Sequence, residues 1–372
     1  MPQLSSKPVR VLVVDDSAIV RKVLSSALDA APGIEVVDTA TDPLDAREKI
    51  KRLCPDVITL DVEMPKMDGI TFLKNIMRLR PMPVVMISSL TESGASVTLD
   101  ALEIGAVDFH AKPGSDTPGS FAEYVGEVAE KVRNAPMLFR RRARRVASAA
   151  PSQPASAAKT GGRRVGQVAS RRFVALGAST GGTEAIREVV VGLPAEFPGI
   201  VVVQHIPAAF AQPFANRVDA SAHMVVKVAE DGEPVLNGHV YIAPGDRHLR
   251  VVRDAGRYLC VVFDAEPVNR HKPSVDVLFE SVAESAKADA TGVLLTGMGR
   301  DGAEGLLEMR RNGSATIVQD EQTSVVWGMP GSAFEIGAAQ EVLPIEDIAP
   351  RLRSLFSDQS EARARSTAGG SN

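Results

Sequence analysis

Short apolar segments alternate with helix-length amphipathic segments along most of this 372-residue chain, and one basic stretch rich in Ala, Ser and Pro interrupts the alternation. Strands that alternate with helices favour a parallel sheet that is covered by helices on both faces. A chain of this length exceeds one ordinary hydrophobic core, so two domains are expected. The sequence therefore predicts an α/β protein with two doubly wound parallel sheets.

The first block of alternation precedes the basic stretch and contains five strand–helix units. Its predicted strands are 9–14, 36–37, 57–60, 84–87 and 107–109. Apolar residues at helical spacing follow each strand, and the last helix is expected from about Phe121 to Arg133.

The second block repeats the alternation after the basic stretch. Its predicted strands are 174–176, 200–204, 240–243, 293–295 and 316–318, and its predicted helices are 182–191, 274–288 and 303–312. Two further β segments, 250–252 and 259–263, flank Asp254-Ala255-Gly256 and predict an inserted hairpin. We therefore expect a three-layer, Rossmann-like domain with an added hairpin.

Charge is distributed unevenly around a net value of −4. Residues 131–183 contain twelve Lys and Arg and no Asp or Glu, so the rest of the chain has 30 basic and 46 acidic residues, a balance of −16. The arginine run at 140–145 could bind nucleic acid or anionic lipid, but it lacks interleaved aromatic residues. We interpret 135–170 as a flexible linker without a nucleic-acid partner. It joins domains at 1–134 and 171–357, and 358–372 is expected to be a disordered tail.

Two cysteines, Cys54 and Cys260, lie far apart in apolar surroundings without metal-binding spacing. This usage is typical of a reducing cytoplasm. The N-terminal segment 1–7 lacks the features of a signal peptide, and no apolar run reaches the ~20 residues that cross a bilayer. We expect a cytoplasmic protein without direct membrane insertion.

Polar residues mark strand ends in the first block. Asp15 and Asp16 follow the first strand, Asp61 ends the third, Ser88 ends the fourth and Lys112 follows the fifth. Because carboxyl ends of parallel strands meet at one edge, these side chains are expected to converge. Three carboxylates suit a hard cation such as Mg²⁺, and a lysine suits a phosphoryl oxygen. Helix capping by the first two aspartates is the simpler alternative, but it accounts for only one strand end.

This pattern, together with Met64-Pro65-Lys66-Met67-Asp68-Gly69, resembles the receiver domain of two-component response regulators over residues 8–130. The resemblance implies a flavodoxin-like fold and phosphorylation of Asp61 by a histidine kinase. It also implies a Mg²⁺ site and phosphoryl contacts. The implied ligands are Asp15, Asp16, Asp61 and the Val62 carbonyl, and the implied phosphoryl contacts are Ser88 and Lys112.

Three polar side chains mark strand ends in the second block. Ser179 lies between a strand and a helix in Gly177-Ala178-Ser179-Thr180-Gly181, a G-x-S-x-G elbow. His205 follows strand 200–204, and Asp301 lies in a glycine-rich loop after strand 293–295. A hydroxyl, an imidazole and a carboxylate at one sheet edge are the groups that acyl transfer requires. The Met298 amide is a candidate oxyanion donor.

The loop at 297–302 also matches G-x-G-x-x-G, and Asp320-Glu321 follows about twenty residues later. A nucleotide-binding, oxidoreductase-like output domain is therefore an alternative, although this match comes late in the domain and leaves Ser179 and His205 unexplained. A DNA-binding output domain would need a helix-turn-helix where strands are predicted. A non-catalytic scaffold would not need the three polar side chains.

Five motifs in the second block resemble the chemotaxis protein-glutamate methylesterases. They are GASTGG at 177–182, QHIP at 204–207, HKPSVD at 271–276, TGMGRDGA at 296–303 and WGMPG at 327–331. The chain order Ser, His, Asp differs from that of α/β-hydrolases, so we do not expect the hydrolase fold.

The resemblance implies a hydrolase that demethylates glutamate methyl esters and deamidates glutamines on cytoplasmic helices of chemoreceptors. Ser179, His205 and Asp301 would be catalytic, with Met298, Thr180 and Gly181 forming the oxyanion site and the cleft. No cofactor is expected in this domain. The receiver would block the cleft until Asp61 is phosphorylated.

Overall fold

The chain divides into two compact units, Met1–Pro151 and Ser152–Asn372. The structure, a computed structural model, describes residues 7–88, 92–112, 121–148 and 168–368. Residues 1–6, which belong to the segment without signal-peptide features, lie outside this described part. The exact domain boundaries remain predictions.

The first unit contains one five-stranded sheet. Its strands are β1 (Val9–Val14), β2 (Ile34–Ala40), β3 (Val57–Asp61), β4 (Val84–Ser88) and β5 (Asp108–Ala111). Its helices are α1 (Ala18–Asp29), α2 (Pro43–Leu53), α3 (Gly69–Leu79), α4 (Glu92–Ile104) and α5 (Phe121–Ser148). The strand order is β2-β1-β3-β4-β5 and every pair is parallel. This is the flavodoxin-like order, which confirms the predicted fold.

Local sequence signals define where the helices of this unit begin. The Ser17 hydroxyl accepts a hydrogen bond from the Val20 amide and caps α1. Asp42 caps α2, which has Pro43 as its first residue. Because Ser17 is the cap of α1, the capping alternative does not explain the aspartates that precede it. Asp15 instead accepts a hydrogen bond from the Ser17 amide.

Helix α5 is longer than predicted. It begins at Phe121 as expected but continues to Ser148 instead of ending near Arg133. The beginning of the predicted flexible linker, residues 135–148, is therefore helical. Ala, Arg, Met and Leu dominate this stretch and are strong helix formers, which outweighs the cost of Pro136. Residues 149–167 of the predicted linker lie outside the described residues.

The second unit contains a seven-stranded parallel sheet and a separate hairpin. In chain order the strands are β6 (Phe173–Ala178), β7 (Ile200–Gln204), β8 (Val225–Val228), β9 (His239–Ile242), β10 (His248–Asp254), β11 (Arg257–Phe263), β12 (Ala290–Leu294), β13 (Ala315–Gln319) and β14 (Glu341–Leu343). The helices are α6 (Gly182–Val191), α7 (Ala208–Ser221), α8 (Val275–Ser285), α9 (Ala303–Arg311), α10 (Met329–Glu335) and α11 (Ile345–Ala368). The sheet order is β14-β13-β12-β6-β7-β9-β8, and β10 and β11 form the hairpin.

The predicted strands, helices and hairpin of this unit are all present, and the expected Rossmann-like α/β class is confirmed. Sequence patterns missed β8 and β14, two short strands at the sheet edges, and helices α7, α10 and α11. Helix α11 contradicts the expected disordered tail from 358, since the backbone is helical through Ala368. Glu, Ala and Arg in this polar segment favour a helix even without an apolar period. Residues 369–372 lie outside the described part of the chain.

The central strands supply the core of the second unit. All five residues of β7 and all five of β12 are buried. Strands that are covered on both faces read as continuous apolar runs, which is why they were recognisable in the sequence. Helix α8 packs Leu278 and Phe279 into the same core. Among the described helices, none is both long enough and apolar enough to span a membrane.

Candidate active site

The strand order of the second sheet reverses beside its first strand. Strand β6 has β7 on one side and β12 on the other, so the loops after these strands diverge to opposite faces. Ligands of open α/β sheets bind in the crevice that forms at such a reversal. Ser179 follows β6, His205 follows β7, and Asp301 lies in the loop between β12 and α9.

The sheet register places Ser179 beside His205. Ala178 and Gln204 are register partners, and the His205 amide donates to the Ala178 carbonyl at 3.2 Å. Ser179 and His205 therefore directly follow the ends of two adjacent strands, whose backbones are about 5 Å apart. On the other side, the Ser179 amide donates to the Thr296 carbonyl at 3.0 Å.

The two glycines of the elbow have different functions. Gly181 has a φ of +76°, so it makes the turn from Ser179 into α6. Gly177 lies within β6 and leaves space instead, because a Cβ there would overlap the Val275 side chain. Of these two glycines, only Gly181 therefore bends the chain.

His205 and Asp301 form a direct contact. The Nε2 atom of His205 lies 2.9 Å from Oδ2 of Asp301, and the two side chains are 8% and 1% exposed. The other ring nitrogen, Nδ1, is buried and has no hydrogen-bond partner among the described residues. This arrangement leaves Nδ1 available to accept a proton from a hydroxyl at the same sheet edge.

Asp301 is held by the beginning of α8. Its Oδ1 accepts from the Ser274 hydroxyl at 2.7 Å and from the Asn269 amide group at 2.8 Å, and its Oδ2 accepts from the Val275 backbone amide at 2.6 Å. Burial alone would raise the pKa of Asp301, but the hydrogen bonds and the charge of His205 outweigh burial and lower it well below its usual range. The carboxylate is thus kept ionised, as a partner of an imidazolium must be.

A second buried carboxylate lies next to this one. Asp276 accepts hydrogen bonds from the Gly305 amide at 2.7 Å and from the Asn269 side chain at 2.6 Å. Burial raises the pKa of Asp276 to about 6, the neighbouring charge of Asp301 adds to this effect, and the Gly305 hydrogen bond opposes it. Two adjacent carboxyl groups therefore have opposite protonation tendencies.

Several residues that organise this site escaped the sequence interpretation. The Gln204 side chain donates to the Ser179 carbonyl at 2.9 Å, and the Thr296 hydroxyl donates to the Thr180 carbonyl at 3.0 Å. The available signal for Gln204 was a polar residue at the end of an apolar strand. The same signal marked Thr296, which is separated from the end of β12 by Leu295. No local signal marks Asn269, since its partners are distant in sequence.

The predicted oxyanion and cleft residues lie in two loops of the site: Thr180 and Gly181 between β6 and α6, and Met298 between β12 and α9. The amides of Thr180 and Met298 donate to no acceptor among the described residues. Gly297 is braced on both sides, since its amide donates to Val326 at 3.0 Å and its carbonyl accepts from Met329 at 2.8 Å. A Cβ at Gly297 would lie 2.9 Å from the Cβ of Ser179, so only glycine fits there. The oxyanion assignments of Met298, Thr180 and Gly181 remain predictions.

The first unit also has its polar residues at a strand reversal. Oxygen atoms of Asp15, Asp16 and Asp61 lie within 4.8 Å of one another. The Lys112 ammonium lies 3.0 Å from Asp15 Oδ2 and 2.7 Å from Asp61 Oδ2. Burial raises the pKa of Asp61 to about 6; the Lys112 hydrogen bond opposes this rise and the Asp15 charge adds to it.

The other predicted receiver residues lie around this cluster. Ser88 is fully buried at the end of β4, and its carbonyl accepts from the Lys112 amide at 2.6 Å. The Val62 carbonyl accepts a hydrogen bond from the Gly69 amide at 2.9 Å, which directs it toward the start of α3. The carbonyl oxygen keeps a second lone pair, and Val62 as a metal ligand remains a prediction. Three carboxylates against one ammonium leave a net negative charge, so the cluster could bind Mg²⁺.

Two family models match the chain, a response regulator receiver domain over residues 11–118 and a CheB methylesterase over residues 174–352. A relative from Xanthomonas campestris pv. campestris, named protein-glutamate methylesterase/protein-glutamine glutaminase 1, is 54% identical over 353 residues, which cover 94% of this chain and 97% of the relative. The chain belongs to the protein-glutamate methylesterase/protein-glutamine glutaminase family. A family member from Hydrogenovibrio crunogenus is 52% identical and covers 94% of this chain and 99% of its own length.

Solved structures of family domains match each unit. The CheB methylesterase catalytic domain of Thermotoga maritima is 40% identical, covers 50% of this chain and 98% of its own, and has a TM-score of 0.49. The response regulator domain of Thermotoga maritima CheB is 49% identical, covers 35% of this chain and 98% of its own, and has a TM-score of 0.32. Membership in the methylesterase family favours acyl transfer over the oxidoreductase alternative for the loop at 297–302.

Proposed function

We propose that this protein is a phosphorylation-regulated hydrolase that demethylates glutamate methyl esters and deamidates glutamines on cytoplasmic helices of chemoreceptors. The observation that carries the proposal is the 2.9 Å contact between His205 Nε2 and Asp301 Oδ2, one strand away from Ser179. The relatives' names, which include both methylesterase and glutaminase, supply the substrate groups.

The first half of the reaction is attack on the side-chain carbonyl of the substrate. The Ser179 hydroxyl oxygen bonds to the carbonyl carbon while His205 Nδ1 takes the hydroxyl proton, because Nε2 is already bonded to Asp301. The ionised Asp301 stabilises the imidazolium that results. The amides of Met298 and Thr180, which donate to no acceptor among the described residues, would donate to the oxyanion.

The second half releases the glutamate side chain. The imidazolium gives its proton to the leaving group, which departs as methanol from an ester or as ammonia from a glutamine amide. Water then attacks the acyl carbon, His205 takes a proton from it, and the Ser179 oxygen leaves and is reprotonated. Both substrates end as a free glutamate carboxylate, so one site accounts for both activities.

The receiver domain would control this chemistry through Asp61. We propose that a histidine kinase donates the phosphoryl group to the Asp61 carboxylate, with Asp15 and Asp16 as metal ligands and Ser88 and Lys112 as phosphoryl contacts. Bound Mg²⁺ would neutralise negative charge on the phosphoryl oxygens. The Lys112 ammonium, which already contacts Asp61, would move its ion pair to the new group. Because the proposed substrate lies on cytoplasmic helices of chemoreceptors, we propose that the protein acts in the cytoplasm.

The proposal is tested by methanol release from a methylated chemoreceptor that is incubated with the purified protein. We expect the wild type to release methanol and Ser179→Ala to release none. Ser221→Ala, a matched change at the exposed end of α7, should behave as the wild type. Methanol release by Ser179→Ala at the wild-type rate would refute the nucleophile, and no release by the wild type would refute the substrate class.

A further inference from the structure

A tight turn before α8 faces the candidate active site. Val268 and His271 close it with two backbone hydrogen bonds of 2.9 and 3.1 Å. Its central residues, Asn269 and Arg270, have φ values of 54° and 68°, which is the conformation of a type I′ turn. Arginine is an unfavourable residue there, so the surrounding structure must hold the turn in place.

The turn contacts both members of the His205–Asp301 pair. From one side, the Asn269 amide group donates to Asp301 Oδ1 at 2.8 Å and to Asp276 Oδ2 at 2.6 Å. From the other side, the His271 ring stacks on the His205 ring, with centroids 3.8 Å apart and planes inclined by 15°. One four-residue turn therefore contacts both the carboxylate and the imidazole.

His205 needs a second constraint on its ring. Its single side-chain hydrogen bond, from Nε2 to Asp301, fixes one point of the ring but allows the plane to tilt about that point. Nδ1 has no partner among the described residues, so no second hydrogen bond prevents the tilt. A flat ring at 3.8 Å blocks movement on one face.

We propose that His271 is a positioning residue for His205, whose stacked ring keeps Nδ1 directed at the Ser179 side while Nε2 stays bonded to Asp301. The inference rests on the proposed function, in which His205 is the general base. Charged groups near the turn include Asp301, Asp276, the exposed Arg270 and Lys272, which pairs with Asp264 at 2.7 Å.

The test compares two substitutions of similar volume. His271→Phe keeps a flat aromatic face, whereas His271→Leu fills the space without one. We expect His271→Leu to lower kcat for methanol release by roughly ten- to a hundredfold with little change in KM, and His271→Phe to stay within about threefold of the wild type. His223→Ala, which changes an exposed histidine of the same unit, is the control and should have no effect.

A spectroscopic measurement makes the test independent of turnover. The proton between His205 Nε2 and Asp301 should give a low-field proton NMR resonance in the wild type and in His271→Phe, and this resonance should broaden or shift in His271→Leu. Equal kcat values and unchanged resonances for the Phe and Leu variants would overturn the positioning function. If the wild type released no methanol but the resonance still changed in His271→Leu only, the proposed substrate would fail while the positioning of His205 would stand.

Discussion

Asp276 and Asp301 show how environment separates two neighbouring carboxyl groups. Asn269 donates to both, yet Asp301 also faces His205 and accepts from Ser274 and Val275, whereas Asp276 has fewer donors and a negative neighbour. The pKa of Asp301 is therefore lowered and that of Asp276 is raised to about 6. A site that pairs an ionised carboxyl group with a neighbouring protonatable one is typical of catalytic centres.

The raised pKa of Asp276 predicts a pH dependence of stability. Between its ordinary value of 3.8 and its folded value of about 6, the folded protein holds a proton that the unfolded chain releases. Stability from this group is therefore greatest at low pH and is lost as the pH rises through 6. We expect the free energy of unfolding of the wild type, relative to Asp276→Asn, to increase by roughly 1 kcal/mol between pH 7.5 and pH 5.

Urea unfolding followed by the fluorescence of Trp327, the single tryptophan, reports this change for the second unit. Asp254→Asn replaces an exposed carboxylate of the hairpin and is the control, with a pH profile parallel to that of the wild type. Parallel profiles for Asp276→Asn as well would show that Asp276 has an ordinary pKa.

At the scale of elements, the position of α8 against β6 determines the geometry around Asp301. Val275 is the first residue of α8; its amide donates to Asp301, and its side chain packs against Gly177 of β6. The missing side chain at Gly177 therefore lets the helix start close enough to the sheet to hold the carboxylate. The same Val275 side chain would overlap a Cβ at Gly302, in the loop that contains Asp301.

This packing predicts a large effect of one methyl group. In Gly177→Ala the new Cβ would overlap Val275 Cγ1 and would lie 3.0 Å from Cγ2. We expect a loss of about 1–3 kcal/mol in the free energy of unfolding and a clear loss of kcat, because α8 must move away from Asp301. Stability from urea unfolding and methanol release are the measurements.

The double variant Gly177→Ala, Val275→Ala should recover part of both losses, since it removes the overlapping atoms. Gly126→Ala on α5 is a control in open space and should be neutral or slightly stabilising. An intact kcat in Gly177→Ala would contradict the link between this packing and the position of Asp301.

On the scale of the whole molecule, both units place their polar residues in the same part of a parallel sheet. Each has a central strand flanked by neighbours from opposite directions, and each collects its polar residues at that reversal. The first unit gathers carboxylates around Lys112, which suits phosphoryl chemistry, and the second gathers a hydroxyl, an imidazole and a carboxylate. In the proposed function, a receiver in the same chain as this enzyme domain would make turnover responsive to a phosphodonor.

Control by phosphorylation predicts separable effects on turnover. Addition of acetyl phosphate and Mg²⁺ should raise methanol release by the wild type. Asp61→Asn should lose this stimulation and keep its basal rate, and EDTA should do the same to the wild type because the carboxylate cluster needs a cation. Glu48→Gln changes an exposed carboxylate of α2 and should respond as the wild type. Stimulation that survives in Asp61→Asn would show that another residue accepts the phosphoryl group.

Sequence patterns were sufficient wherever a property is local. The alternation of apolar runs and helical segments predicted the two parallel sheets, and a polar residue at the end of a buried strand marked Asp61, Ser179 and His205 as candidate site residues. These inferences succeed because parallel strands bring their carboxyl ends to one edge, whatever the details of packing. Composition was a weaker guide, since the segments 135–148 and 358–368 are helical despite their polar character.

Only the tertiary structure decided which atoms meet at that edge. His205 and Asp301 are 96 residues apart, and Asn269 is 32 residues from Asp301, so no local pattern could pair Nε2 with Oδ2 or bring the turn against them. The close approach of α8 to Gly177 likewise depends on a single missing side chain on another element. Strand ends are specified by nearby residues, whereas the orientation of an imidazole and the charge of a carboxyl group result from neighbours that folding alone brings together.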